Sequence, residues 1–211
     1  MRGTLSGLVL AAIIAAACAW VGAAPAKPRP AVKPGPIERL EQHFKQADAD
    51  FKRGDKKAAA VELRAAAQLL REEIGRASGP AKKLLESVPS ELDKAANRIG
   101  TIDQKTLRRT FARAYRALAA YHQRLASNAW TKRERRQVGA YLKAAGADLR
   151  HAAAWAGPVV ERACVTAAGY ALDVSEKLFH GSKVSGEQVE KALNGLSKQI
   201  DALGRRLEST K

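Results

Sequence analysis

VEKALNGLSKQIDALGRRL, Val189 to Leu207, carries apolar side chains at Val189, Leu193, Leu196, Ile200, Leu203 and Leu207, with mostly polar or small residues between them. The steps alternate between four and three residues. On an α-helix the six side chains therefore form one stripe, whereas on a strand they would scatter over both faces. A spacing that averages about 3.5 residues keeps such a stripe against a neighbouring helix. The segment calls for partners of its own kind.

The rest of the chain supplies them. The same rhythm runs from Ile37 through Leu40, Phe44 and Ala47 to Phe51, and from Ala60 through Leu63, Ala67 and Leu70 to Ile74. It returns at Leu85, Val88, Leu92, Ala95 and Ile99, where Pro89 predicts a kink or a fresh first turn. Leu107, Phe111, Ala114, Leu118, Tyr121 and Leu125 form a fourth row, and Val138, Leu142, Ala145, Leu149, Ala152 and Ala156 a fifth. Val160, Cys164, Ala167, Ala171, Val174 and Leu178 make the sixth. No strand-like alternation competes. The expected fold is all-α: an antiparallel multi-helix bundle of about seven helices with coiled-coil-like 3-4 spacing over residues 37–211. Many seam positions are alanine, so helix axes should approach closely. The helix over 158–179 carries a second apolar row at Val165, Ala168, Leu172 and Phe179, which predicts that it lies at the centre.

Punctuation between the rows agrees with short connections. Thr101 with Gln104, Thr131 with Glu134, and Ser185 with Gln188 have capping-box spacing, the last flanked by Val184 and Val189 at hydrophobic-staple positions. Asp55 is placed to cap the second helix, and Gly100, Gly157-Pro158 and Gly181 mark stops.

Ahead of the bundle, Arg2 is the only charged residue before Lys27, and an apolar run extends through Val21. This is a secretory signal pattern over residues 1–24. Lys27, Arg29 and Lys33 on its far side oppose retention as an anchor with its N-terminus inside. Two kinds of cleavage fit. Val21 and Ala23, or Gly22 and Ala24, suit a peptidase that reads small side chains, while Ala15-Ala16-Ala17-Cys18 resembles a bacterial lipobox and makes Cys18 the lipidation candidate. Residues 25–36 alternate proline with Lys, Arg and Ala, the composition of an extended spacer. The expected localisation is therefore exported, in the periplasm or cell envelope. With the signal removed, Cys164 is the one remaining cysteine, so no intramolecular disulfide is expected, and its apolar row predicts a buried small side chain.

The chain has a formal net charge of +16, and residues 101–156 hold twelve basic residues against three acidic ones. One helical hairpin thus carries most of the excess. Lys105, Arg109, Arg113 and Arg116 recur on one helix face, and Lys132, Arg133, Arg135 and Arg136 cluster at the start of the next helix. Cations at a helix N-terminus oppose the macrodipole, by tenths of a kcal/mol each, roughly. These eight residues are the anion-binding candidates, by summed potential. The competing reading is a solvated face in a basic protein. Tyr115, Tyr121, Trp130 and Tyr141 lie near arginines, but no RNA- or DNA-binding motif accompanies them, and nucleic acid is not expected as a partner. Trp130 is placed to lie over Arg135, and Trp155 to seal the end of its helix.

Catalytic signatures are missing from the sequence. His43, His122, His151 and His180 include no pair spaced three or four apart, and there is no HExxH, CxxC, GxSxG, P-loop or dinucleotide-binding glycine pattern. The carboxylate pairs Glu72-Glu73 and Glu91 with Asp93 suit wet helix faces. No catalytic residue, metal ligand or cofactor is expected.

The spacing of Ala47, Gly54, Asp55, Ala59, Leu63 and Ala66 resembles a tetratricopeptide helical hairpin, in which small residues let two helices cross closely. Asp50 and Arg71 stand where that repeat has an aromatic and a proline. The chain is also similar to exported all-helical YfdX-type proteins, with Ala-rich helices around a Gly-Asp turn. Neither resemblance implies catalytic residues. The functional expectation is a non-catalytic extracytoplasmic binding or scaffold protein, whose basic hairpin contacts anionic envelope polymer or a membrane surface. The alternative is a lipid-tethered adaptor that grips a partner protein through a tetratricopeptide-like surface. A metal-dependent or hydrolytic enzyme is the third class.

Overall fold

A computed structural model describes residues 36–77 and 79–209. The signal segment, the lipidation candidate Cys18 and the linker lie outside the described residues, except that Pro36 is the first residue of α1. Among the described residues there are seven α-helices: α1 (Pro36–Lys52), α2 (Lys56–Arg76), α3 (Val88–Asn97), α4 (Gln104–Thr131), α5 (Arg135–Ala156), α6 (Pro158–Phe179) and α7 (Gly186–Ser209), with a 3-10 turn at Pro80–Leu84. Among the described residues there is no strand. The all-α bundle expected from the spacing is what forms. Six of the seven rows fall wholly on a helix, while in the third Leu85 and Ile99 lie in the turns on either side of α3, and most row members are buried, including all six of α7.

Pairing follows from the short turns. Consecutive helices α4, α5, α6 and α7 pack side by side, and α7 returns to α4, closing a four-helix ring. The α1–α2 hairpin and α3 pack as a second layer that meets the ring chiefly through α4. With 28 residues, α4 is about 42 Å long, and it touches α1, α3, α5, α7 and the 3-10 turn. It is the shared wall of both layers.

This corrects the central position expected for α6, which packs chiefly against α5 and α7 and leaves Val159 73% and Phe179 50% exposed. Its apolar residues are spread over too wide an arc for two neighbours to cover. The side it does bury meets glycines. A Cβ at Gly146 would stand 3.1 Å from the Ala168 carbonyl oxygen, and one at Gly139 would stand 3.3 Å from Leu178 Cβ. The Ser175 hydroxyl donates to the Gly139 carbonyl at 2.7 Å across this buried seam.

Turn chemistry differs from the sequence reading at two of the three boxes. Ser185 and Gln188 bond reciprocally, Ser185 N–H to Gln188 Oε1 at 2.9 Å and Gln188 N–H to Ser185 Oγ at 3.2 Å, with Val184 and Val189 buried beside them. Asp55 caps α2 through the Ala58 N–H. But Asp103, not Thr101, caps α4, accepting from the Thr106 N–H at 2.7 Å. Thr131 is the last residue of α4, and its hydroxyl donates back to the Ser127 carbonyl. The reversal into α5 instead uses Arg133 in the left-handed region, at φ 61°. Pro89 sits in the first turn of α3, the fresh start rather than the kink.

Candidate functional site

The eight anion-binding candidates do not form one surface. Arg116 and Lys132 lie 16 positions apart on or just beyond the same helix, about 24 Å along its axis. Lys132, Arg133, Arg135 and Arg136 are exposed around the α4–α5 turn. Arg135 extends toward the Val184 carbonyl at 3.5 Å, and Trp130 lies against Gly186 at the start of α7. Nothing gathers these four cations around a common point.

The other four share one face of α4 as their spacing requires, but that face is not open. The C-terminal half of α7 lies across it. Arg113 donates to the Leu207 carbonyl and Arg116 to the Ile200 carbonyl, both at 3.0 Å. Leu207 is in the last turn of α7, where carbonyls lack helical partners and the dipole end is negative, so a guanidinium there is favourable. Arg116 also passes directly over Gly204, where only a hydrogen side chain leaves room. Half of the predicted basic stripe is thus a helix-to-helix fastening.

Lys105 and Arg109 remain at the other side of the α7 crossing. There they line a depression of about 460 Å³ together with Arg108 and Arg206. Trp155, Pro158, Val159 and Val160 line it as well, with Leu203 of α7. No Asp or Glu is among the described residues that line it. Arg108 is anchored by Asp48, which it grips through Nε at 3.0 Å and Nη2 at 2.9 Å. Burial alone would raise the Asp48 pKa, but hydrogen bonds from Arg108, Lys52 and Gln104 outweigh it and hold the carboxyl well below the usual range. The N-terminus of α6 opens at the same place, and Gly157 supplies no side chain to cap it. Cationic and apolar side chains thus line the same depression at this end of the bundle.

A second constellation was not legible as such in the sequence. Phe111 and Tyr115 of α4 are flanked by Phe44 of α1 and by Trp155 and His151 of α5, with ring centroids 4.4 to 5.5 Å apart. The Tyr115 hydroxyl donates to Glu41 Oε2 at 2.6 Å, and His151 Nδ1 lies 3.5 Å from the same oxygen. Burial acts to raise the Glu41 pKa, yet the His151 and Tyr115 hydrogen bonds and the His151 charge bring it down to about 2. Burial and Glu41 push the Tyr115 hydroxyl pKa upward. Nearby, His122 Nδ1 meets Asp148 Oδ2 at 2.7 Å. Asp148 is fully buried, its Oδ1 has no hydrogen-bond partner, and burial raises its pKa against the influence of His122.

These histidines therefore serve carboxylates from neighbouring helices. Among the described residues, no group of three or more His, Cys, Asp or Glu side chains is arranged to hold a metal ion. Cys164 is buried, and burial raises its thiol pKa, as its apolar row predicts. His180 ends α6 at the C-cap. No described helix is long and apolar enough to cross a membrane. No protein-family model, curated protein or solved structure matches the chain.

Proposed function

We propose that this chain is an exported, non-catalytic helical binding protein that holds anionic groups of the cell envelope at the end of its bundle. The observation that carries this reading is the depression where Lys105, Arg108, Arg109 and Arg206 converge with no carboxylate among its described lining residues. Concave placement focuses the potential of several cations on one volume, which an equally charged convex face does not do. Arg108 is paired with Asp48, and Asp103, whose pKa the Thr106 hydrogen bonds lower, has Lys105 and Arg109 close enough to lower it further, so the attraction is the summed potential of the four cations. The signal pattern and basic spacer support export and a tether-like reach from the N-terminus.

The test is binding to vesicles of anionic phospholipid and to polyphosphate at low salt, comparing the natural chain with Lys105→Gln/Arg109→Gln. The double variant should bind several-fold more weakly, with an unchanged far-ultraviolet circular dichroism spectrum. Equal binding would refute the site.

A further inference from the structure

The same depression carries more than charge. Val159 is 73% exposed, the most exposed large hydrophobic side chain among the described residues, and it forms one wall with the partly buried Trp155 and Val160. Single exposed apolar residues are ordinary on protein surfaces. Here, however, the exposed valine lines the same depression as Trp155, Val160 and the cations. These side chains come from four elements. Lys105 and Arg109 stand on α4 and Arg206 on α7, while Trp155 ends α5 and Val159 and Val160 start α6.

A hydrophilic polyanion would use the cations and leave the apolar wall wet. A neutral apolar molecule would cover the wall and leave the cations unused. We infer that the depression takes a single-chain anionic amphiphile, with its acidic head against Lys105, Arg109 and Arg206 and its tail along Trp155, Val159 and Val160. The inference rests on the anion-binding reading above and adds the apolar half of the ligand. A volume of about 460 Å³ lies in the range of small-molecule sites, roughly 300–1,000 Å³. The apolar wall contributes through the area it removes from water, and the head fixes orientation through charge-assisted hydrogen bonds. Arg109 and Arg206 also make interactions within the protein.

The experiment titrates the purified full chain with dodecyl phosphate below its micelle concentration, with inorganic phosphate and with dodecyl maltoside, by isothermal calorimetry. Dodecyl phosphate should bind at least tenfold more tightly than either of the others. Val159→Asn changes an exposed side chain, so the fold should tolerate it, and it should weaken dodecyl phosphate about tenfold while leaving inorganic phosphate unaffected. Lys105→Gln should weaken both anions. If inorganic phosphate matches dodecyl phosphate, the anion site stands and the amphiphile is overturned. Equal binding of dodecyl maltoside overturns it as well, because charge would then be irrelevant. Absence of binding by all three removes the anion site and the amphiphile together.

Discussion

Replacing Gly204 with alanine tests the crossing of α7 over α4, on which the shape of the basic end depends. In an open helix position this substitution stabilises by about 1 kcal/mol, because glycine loses more backbone entropy on folding. At Gly204 the new Cβ would fall 2.6 Å from Arg116 Nε, inside the 3.0 Å that real Cβ contacts essentially never reach. Arg116 is a flexible side chain, so it will swing away and surrender its hydrogen bond to the Ile200 carbonyl. Loss of a hydrogen bond to a charged group costs about 1.5–3 kcal/mol, so the loss exceeds the gain. The expected net effect is destabilisation by about 1 kcal/mol, a fall in Tm of roughly 2–4 °C for a domain of this size.

Gly195 on the same helix has nothing within 4 Å of its hypothetical Cβ, and Gly195→Ala should raise stability by about 1 kcal/mol. Removing Arg116 first should reverse the sign at Gly204, so that Arg116→Ala/Gly204→Ala is more stable than Arg116→Ala. Urea unfolding followed by circular dichroism measures all four variants. If Gly204→Ala stabilises the natural chain as much as Gly195→Ala does, the guanidinium does not lie over α7, and the division of the basic stripe fails.

The core carboxylates make two opposite pH predictions. Glu41 is held near a pKa of about 2 against an ordinary 4.5, so its contribution is complete above pH 4.5 and fades as pH falls toward 2. Glu41→Gln should therefore lower stability by about 2 kcal/mol at pH 7, through loss of charge-assisted bonds, and the gap to the natural chain should close by pH 2 in urea titrations. Asp148 is shifted the other way, above its ordinary 3.8, so its burial is unfavourable above the raised value and the penalty is relieved as the carboxyl takes up a proton toward 3.8. His122→Ala leaves that carboxylate without its partner and should cost about 3 kcal/mol at pH 7, with a smaller cost at pH 4. A cost that grows on acidification would contradict the assignment.

The seven helices were legible because each buries a stripe, and stripe spacing is a local property of the chain. Val189 to Leu207 illustrates this, since all six row members are buried as their spacing requires. Which stripe meets which is not local. The 158–179 segment is rich in apolar residues and still lies at the edge, whereas α4 is the shared wall. Its interior polar groups appear wet in sequence, but Tyr115, Arg108 and His122 find Glu41, Asp48 and Asp148 on other helices. Those partners are 74, 60 and 26 positions away, beyond the reach of any helical spacing rule. Thr131 failed as a cap because Ala129 and Trp130 continue the packing of α4 through it, leaving its hydroxyl to bond within the helix. For the basic residues, the shared face of Lys105, Arg109, Arg113 and Arg116 followed from their steps. The helix that covers half of that face did not.

The most direct measurement compares two double variants in binding to anionic vesicles across a salt series. Lys105→Gln/Arg109→Gln removes cations from the concave end, and Lys132→Gln/Arg136→Gln removes the same charge from the α4–α5 turn. Convergence of cations around one volume predicts a several-fold loss for the first variant at low salt and near-natural binding for the second. Equal losses would mean that only net charge matters, and the concave end would then have no special role.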